Sequence, residues 1–226
     1  MAKVAKPVRS SQDQRYYYVM ITFIILQTFQ TECKTPAEIQ SAARKQRLYP
    51  HVIRQIPSHV FEISYGQHKV DLGNTLTPEI VRNPPTHIKW PVDEDMLYTI
   101  AVTGPDAKNL EEEKCSYEHW LVGNIPGSDI EEGETLSDYV GLTDVAYDTN
   151  PGNSHRLVFW LFEQGLGERI AFGGARIEKT DVGKSREVLA LAKFAEHYGL
   201  KQPIAINFCE VVFNKTENKL VIQDAN

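Results

Sequence analysis

The chain has 226 residues, 42% of them apolar, and carries 24 Lys and Arg against 30 Asp and Glu for a net charge of −6. That length is enough to bury a full core in one domain, and an acidic chain with no Lys/Arg block beyond its first residues excludes a surface that tracks nucleic-acid phosphates. The sequence has no His pair at helical spacing with Glu, no Cys-x-x-Cys pairs, no G-x-S-x-G elbow and no phosphate-cradling glycine loop. A resident metal, a cofactor and an enzymatic function are therefore not expected.

At the N-terminus, Lys3, Lys6, Arg9 and Arg15 precede the apolar run YYYVMITFIILQTF at residues 16–29, and QTEC follows, ending at Cys33. A basic region, an apolar run and a short polar stretch form the layout of a secretory signal. Interrupted by Thr22, Gln27 and Thr28, the run falls short of the ~20 residues that span a bilayer. Residues 1–33 are expected to be a signal peptide and residues 34–226 a single secreted domain; a membrane-anchored or a cytoplasmic chain are the alternatives. Cleavage leaves 20 basic and 28 acidic side chains, for a net charge of −8. Export would also make Asn214-Lys215-Thr216 a glycosylation sequon. Two cysteines remain, Cys115 and Cys209; they either pair or stay as free thiols, and their separation does not decide which.

The stretch TPAEIQSAARKQRL, residues 35–48, reads as a helix. Thr35 can cap it, Pro36 suits the first position, and Glu38 completes a capping box. Ile39, Ala42, Ala43 and Leu48 share its apolar face. HVFEISYGQHKVDLGNTLTP then alternates as strands that turn at Gly66 and at Gly73-Asn74. After Asn83-Pro84-Pro85 come THIKW and a strand at residues 97–103. A further strand opens at His119 and closes on Pro126-Gly127. ETLSDYVG leads into a polar segment at residues 142–154. RLVFWLFEQ, residues 156–164, is almost continuously apolar, as expected of a strand buried on both faces. REVLALAKFAEHYGL, residues 186–200, reads as an amphipathic helix with Leu189, Ala192, Phe194 and Tyr198 on or near its apolar side and Gly199 ending it. IAINFCEVVF supplies the last strand. Many short strands with peripheral helices make the fold mainly β, an antiparallel sandwich.

Polar residues gather at the strand ends: Asp106, Lys108, Glu118, His119, His155 and Arg156. Each has a plain structural reading, Asp106 as a turn residue and each histidine as a hydrogen-bonded strand opener. Together they can also form a small pocket in which imidazoles meet an anion.

HVFEISYGQHKVDLGNTLTPEIV, LYTIAVTGPDA, HWLVGNIPGSDIEEGETLSDYVG, SHRLVFWLFEQ and FAEHYGLKQPIAINF follow one another in this chain. In that order they resemble the successive signatures of the phosphatidylethanolamine-binding protein family. The resemblance covers residues 60–213 and implies a β-sandwich of two antiparallel sheets with peripheral helices. It also implies a small pocket at one end that takes phosphate or a phospholipid head group, without a cofactor or catalysis. The family's Asp-Pro-Asp-x-Pro reads here Gly104-Pro105-Asp106-Ala107-Lys108, so the second acid is kept and Lys108 stands in place of a proline. His119 matches the pocket histidine, and Tyr117 replaces the tryptophan before it. Gly-x-His-Arg-Tyr becomes Asn153-Ser154-His155-Arg156-Leu157, which keeps His155 and loses the tyrosine. The loop at 142–154 is longer than the family's and lacks its paired prolines.

These substitutions remove a carboxylate that would repel an anion and place a lysine where it can attract one. The expected ligand-binding set is Asp106, Lys108, Tyr117, His119 and His155, with Asp106 orienting one of the histidines. Both histidines are expected to offer N–H donors and to change charge over mildly acidic pH. The expected function is a monomeric, non-enzymatic binding protein for a small anion or phospholipid head group. The alternative is a protein-interaction module, a protease or kinase inhibitor, that meets its protein partner through the 142–154 loop.

Overall fold

The apolar run at residues 156–164 becomes the centre of the fold. In the computed structural model it forms β9 (Ser154–Glu163), flanked on one side by β6 (Leu97–Gly104) and on the other by β10 (Ala205–Val212). Residues 34–106, 116–142, 152–165, 168–182, 184–186 and 191–213 are described. The expected signal peptide, Lys108, Cys115, residues 143–151 of the polar loop and the sequon at Asn214 lie outside them.

A seven-stranded sheet runs in the order β1 (His59–Val60), β10, β9, β6, β7 (Tyr117–Pro126) and β8 (Glu134–Ser137), with β4 (Asn74–Leu76) also on β10. A second, three-stranded antiparallel sheet pairs β2 (Glu62–Tyr65) with β3 (His68–Lys69) and β5 (His87–Lys89).

The large sheet departs from the antiparallel expectation at one edge, where β1 and β4 both pair with β10 in parallel. The reason is local. The chain leaves β10 after Val60, reverses through the β2–β3 hairpin at Gly66, turns again at Gly73 and returns in its original direction. Both glycines have positive φ, 58° and 101°, a region open to Gly at little steric cost. Asn207 fills the gap the excursion leaves. Buried to 1% exposure, it donates from Nδ2 to the carbonyls of Phe61 and Val70, and its Oδ1 accepts from the N–H groups of Leu72 and Phe208. All of its amide hydrogen-bonding groups thus have partners, as a buried side chain of this kind requires.

Two cores follow from β9's position. Phe159 and Leu161 face the small sheet, packing with Ile63, Tyr65, Ile100 and Cys209. Val158, Trp160 and Phe162 face the helices. Helix α1 (Pro36–Lys45) has the expected capping box, with Thr35 accepting from Glu38 N–H and Glu38 accepting from Thr35 N–H at 2.7 Å, and it buries Ile39 and Ala43. Helix α2 (Leu191–His197) buries Ala195, with Leu191, Phe194 and Tyr198 partly covered. Ala192, expected on the apolar side, is exposed, because this short helix turns the i, i+3, i+4, i+7 set that begins at Leu191 toward the sheet. Residues 187–190 of the expected helix lie outside the described residues, and Arg186 belongs to a 3-10 turn, Lys184–Arg186. Cys209 is a buried free thiol, and burial pushes its pKa up to about 12, so it is an inert packing residue.

Candidate functional site

His119 owes its position to a β-bulge. Thr103 pairs with Glu118 and Val102 with Trp120, so His119 is an extra residue on β7 with no opposite number on β6. A bulge re-aims the side chains around it. Strict alternation would send Tyr117 and Trp120 to opposite faces, yet both lie in the inner core, with His119 beside Tyr117 at a ring separation of 5.0 Å.

Val140 closes on His119 twice. Its N–H donates to the His119 carbonyl at 2.9 Å, and His119 Nδ1–H donates to the Val140 carbonyl at 2.8 Å. A carbonyl only accepts, so Nδ1 carries the proton, and in the neutral ring Nε2 is an acceptor. Burial, the largest influence, lowers the pKa of His119 to about 4; the bond to Val140 opposes the fall, and the charges of Arg186 and His155 add to it. The expectation of an N–H donor that titrates in mildly acidic solution is therefore corrected for His119. Its N–H faces Val140, and its ring stays neutral down to about pH 4.

Tyr117 is 1% exposed and donates its hydroxyl to the Val182 carbonyl at 3.1 Å. His155 lies at the start of β9, 6% exposed, with its ring 5.7 Å from that of Phe213 in an edge-to-face arrangement. Leu157, where the family has tyrosine, is fully buried and presents no polar group. Tyr117, His119 and His155 thus come to one end of the large sheet, on the face turned toward the inner core.

Asp106 takes a different part from the expected one. Among the described residues, its carboxylate accepts from Arg156, from the backbone N–H at 2.7 Å and from Nε at 2.8 Å, with a further contact to Nη2. Arg156 in turn donates from Nη1 to the carbonyl of Gln46, 2.7 Å away, at the C-terminus of α1. Instead of orienting a histidine, Asp106 ties the end of β6 through Arg156 to the first helix. Asp106→Asn is expected to lower stability by about 2 kcal/mol, the scale of hydrogen bonds to a charged group. Urea denaturation followed by tryptophan fluorescence measures it, and an unchanged midpoint would show the clip to be idle. Lys108 lies outside the described residues.

Two site-forming groups were not legible as such. Arg186, read as a helix opener, is fully buried and sends its N–H donors to the carbonyls of Asp181, Glu118, Asp138, Ile177 and Glu178 and to the Ser137 hydroxyl. Its charge reaches both His119 and Glu118. Glu118, noted only as a polar strand-end residue, is 6% exposed, and burial raises its pKa against the effects of Ser137 and Arg186. Among the described residues, no group of three His, Cys, Asp or Glu is placed to hold a metal ion.

Comparison with known proteins places the chain in a family. A Drosophila melanogaster protein that carries the name odorant-binding protein A5 is 26% identical over 172 residues, covering 75% of this chain and 78% of that protein. A 26 kDa secreted antigen of Toxocara canis is 30% identical over 164 residues, 71% of this chain, which spans only 59% of the antigen's length. Among solved structures, a carboxypeptidase Y inhibitor crystallised with its cognate proteinase shares the fold at a TM-score of 0.61 and 22% identity, covering 82% of this chain and 99% of the inhibitor. The family described as phosphatidylethanolamine-binding protein matches residues 66–209. Since that span holds both histidines, the bulged strand that aims one of them and the central strand that carries the other, the chain belongs to the phosphatidylethanolamine-binding protein family.

Proposed function

We propose that the chain is a secreted, non-catalytic, monomeric binding protein that takes a small anion or a phospholipid head group where Tyr117, His119 and His155 come together. The observation that carries this reading is the bulge at His119, which turns that histidine to the face that holds Tyr117 although the motifs around it have changed. The buried charge of Arg186, felt at His119, favours an anion, and Asp106 directs its carboxylate to Arg156, which removes a source of repulsion. Lys108 is proposed as a further cationic contact. Secretion is supported by the relative described as a secreted antigen.

Titration calorimetry with inorganic phosphate and phosphoethanolamine tests the site. Changing both histidines to alanine is expected to weaken binding by at least about 100-fold, the sum of two hydrogen bonds to a charged group. His119→Gln, which keeps an amide donor for Val140, guards against a folding defect and should weaken binding by itself. Undiminished affinity in both variants would sink the reading and leave protein contact through the 142–154 loop as the function to pursue.

A further inference from the structure

The face of β7 turned away from His119 carries a cleft. The bulge sends Tyr117 and Trp120 into the inner core and Leu121 to the opposite face, where Leu121 and Glu118 line a half-open cavity of about 240 Å³. Its walls are Glu134 on β8, the segment running from Phe172 to Ile177, and the side chains of Phe194 on α2 and of Tyr198 just after it. The rim is fixed. Tyr198 Oη accepts from Gly173 N–H at 3.0 Å, Ile177 N–H donates to the Leu136 carbonyl at 2.9 Å, and Asn124 Oδ1 accepts from Ile170 N–H at 2.8 Å. Phe172 lies so close over Gly123 that a Cβ there would sit 2.3 Å from its ring; no residue but glycine permits that approach.

Three partly buried rings meet at this cleft. Phe172 stacks parallel to Phe194 with centroids 5.9 Å apart, and Tyr198 stands 4.9 Å from each. Glu118 brings a carboxyl group that is otherwise shut away from solvent. Arg186 does not neutralise it by direct pairing, because its donors go to carbonyls and to Ser137. Glu134 adds a second carboxylate, with one oxygen held by Asn124 Nδ2 at 2.8 Å. The cation at the rim, Arg176, pairs with Asp138. Aromatic faces attract a cation through the ring quadrupole, and a desolvated carboxylate gains most from a charged hydrogen-bonding or ionic partner. An anion would meet two carboxylates here, and a purely apolar guest would leave them facing it.

We infer that this cleft, between β7, β8, the Phe172–Ile177 segment and α2, is a binding site for a small organic ammonium compound, separate from the anion site on the other face of β7. The cation sits against Phe172, Phe194 and Tyr198 with Glu118 beneath it. The volume suits a molecule well below drug size.

Choline is the probe, compared with 3,3-dimethylbutan-1-ol, its uncharged carbon isostere, by titration of 15N-labelled full-length protein. Choline is expected to shift the amides of Gly173 and Gly174 saturably, with affinity at least about tenfold above the isostere. Glu118→Gln should abolish that preference, and Phe194→Leu should weaken choline about fivefold, a loss on the scale of a cation–ring contact. Phe194 is only partly buried and leucine keeps an apolar side chain there, so this second variant tests the cleft even if Glu118→Gln does not fold. The double histidine-to-alanine variant should bind choline as the unaltered protein does, which separates this site from the anion site. Co-sedimentation with phosphatidylcholine vesicles would identify the source of the ammonium as a lipid head group; binding of free choline alone would identify it as a soluble compound. Equal affinity for choline and the isostere, no saturable shift, or choline binding lost with the histidines would each overturn the inference.

Discussion

Replacing Arg186 with leucine is expected to destabilise the protein by about 3–5 kcal/mol, the range found when one member of a buried charged network is removed. The guanidinium is the largest fully buried side chain among the described residues. Its donors tie together four segments: β7 through the Glu118 carbonyl, the end of β8 through Ser137, the adjoining Asp138, and the stretch from Ile177 to Asp181. Leucine leaves those acceptors buried without donors, and each unsatisfied group carries a penalty of about 1–3 kcal/mol before relaxation. Lysine is no substitute, since three donors on one nitrogen cannot reproduce a planar fork, so Arg186→Lys should fall between the two. Arg176→Ala is the contrast. That arginine is half-exposed and pairs with Asp138 at the surface, and such pairs contribute less than about 1 kcal/mol. Urea denaturation of the three variants gives the comparison. A loss under 1 kcal/mol in Arg186→Leu would mean that water or rearranged backbone satisfies the carbonyls and that the arginine is not the joint it resembles.

The same residue shows where sequence reading stops. REVLALAK has helical periodicity, and nothing local distinguishes an arginine that opens a helix from one that threads beneath a strand; its partners lie up to 68 residues away. Features set by local chemistry were legible: the capping box at Thr35, the turns at Gly66 and Gly73, and the double burial of β9, which needs only an unbroken apolar run between turns. The parallel edge at β1 and β4 was not, because it depends on where the chain returns after its excursion. The histidines were legible as a pair through the family's motifs, but their state was not. Whether His119 donates or accepts depends on a one-residue bulge and on a carbonyl 21 residues further along the chain. Asp106 and Arg156 were both singled out, yet their union across 50 residues is a tertiary fact. That union turned an assumed ligand contact into a clip.

Stability should fall as the pH is lowered from about 6.5 toward 4, and His119 should be the main cause. The buried ring titrates at about 4 in the folded protein against 6.5 for an ordinary histidine. Between those values the unfolded chain binds a proton that the folded one refuses, so protonation draws the equilibrium toward unfolding. The full difference is worth roughly 3 kcal/mol, at 1.36 kcal/mol for each pKa unit. Above about 6.5 neither state is protonated and the effect vanishes. Glu118 acts with the opposite sign. Burial raises its pKa, so the folded state holds a proton that the unfolded state has released, and its contribution grows as the pH falls through the folded value toward 4.5. The unaltered protein therefore records a partial cancellation, which two variants resolve. His119→Gln keeps a donor for Val140 but does not titrate, and it should remove the acid loss; Glu118→Gln removes the opposing contribution and should steepen it. Urea midpoints at pH 7, 6, 5 and 4.5 give the profiles, and taking differences between variants cancels the surface carboxylates common to all. If His119→Gln leaves the profile of the unaltered protein unchanged, the ring is not held neutral. The anion site would then contain an imidazole that becomes charged in mildly acidic solution.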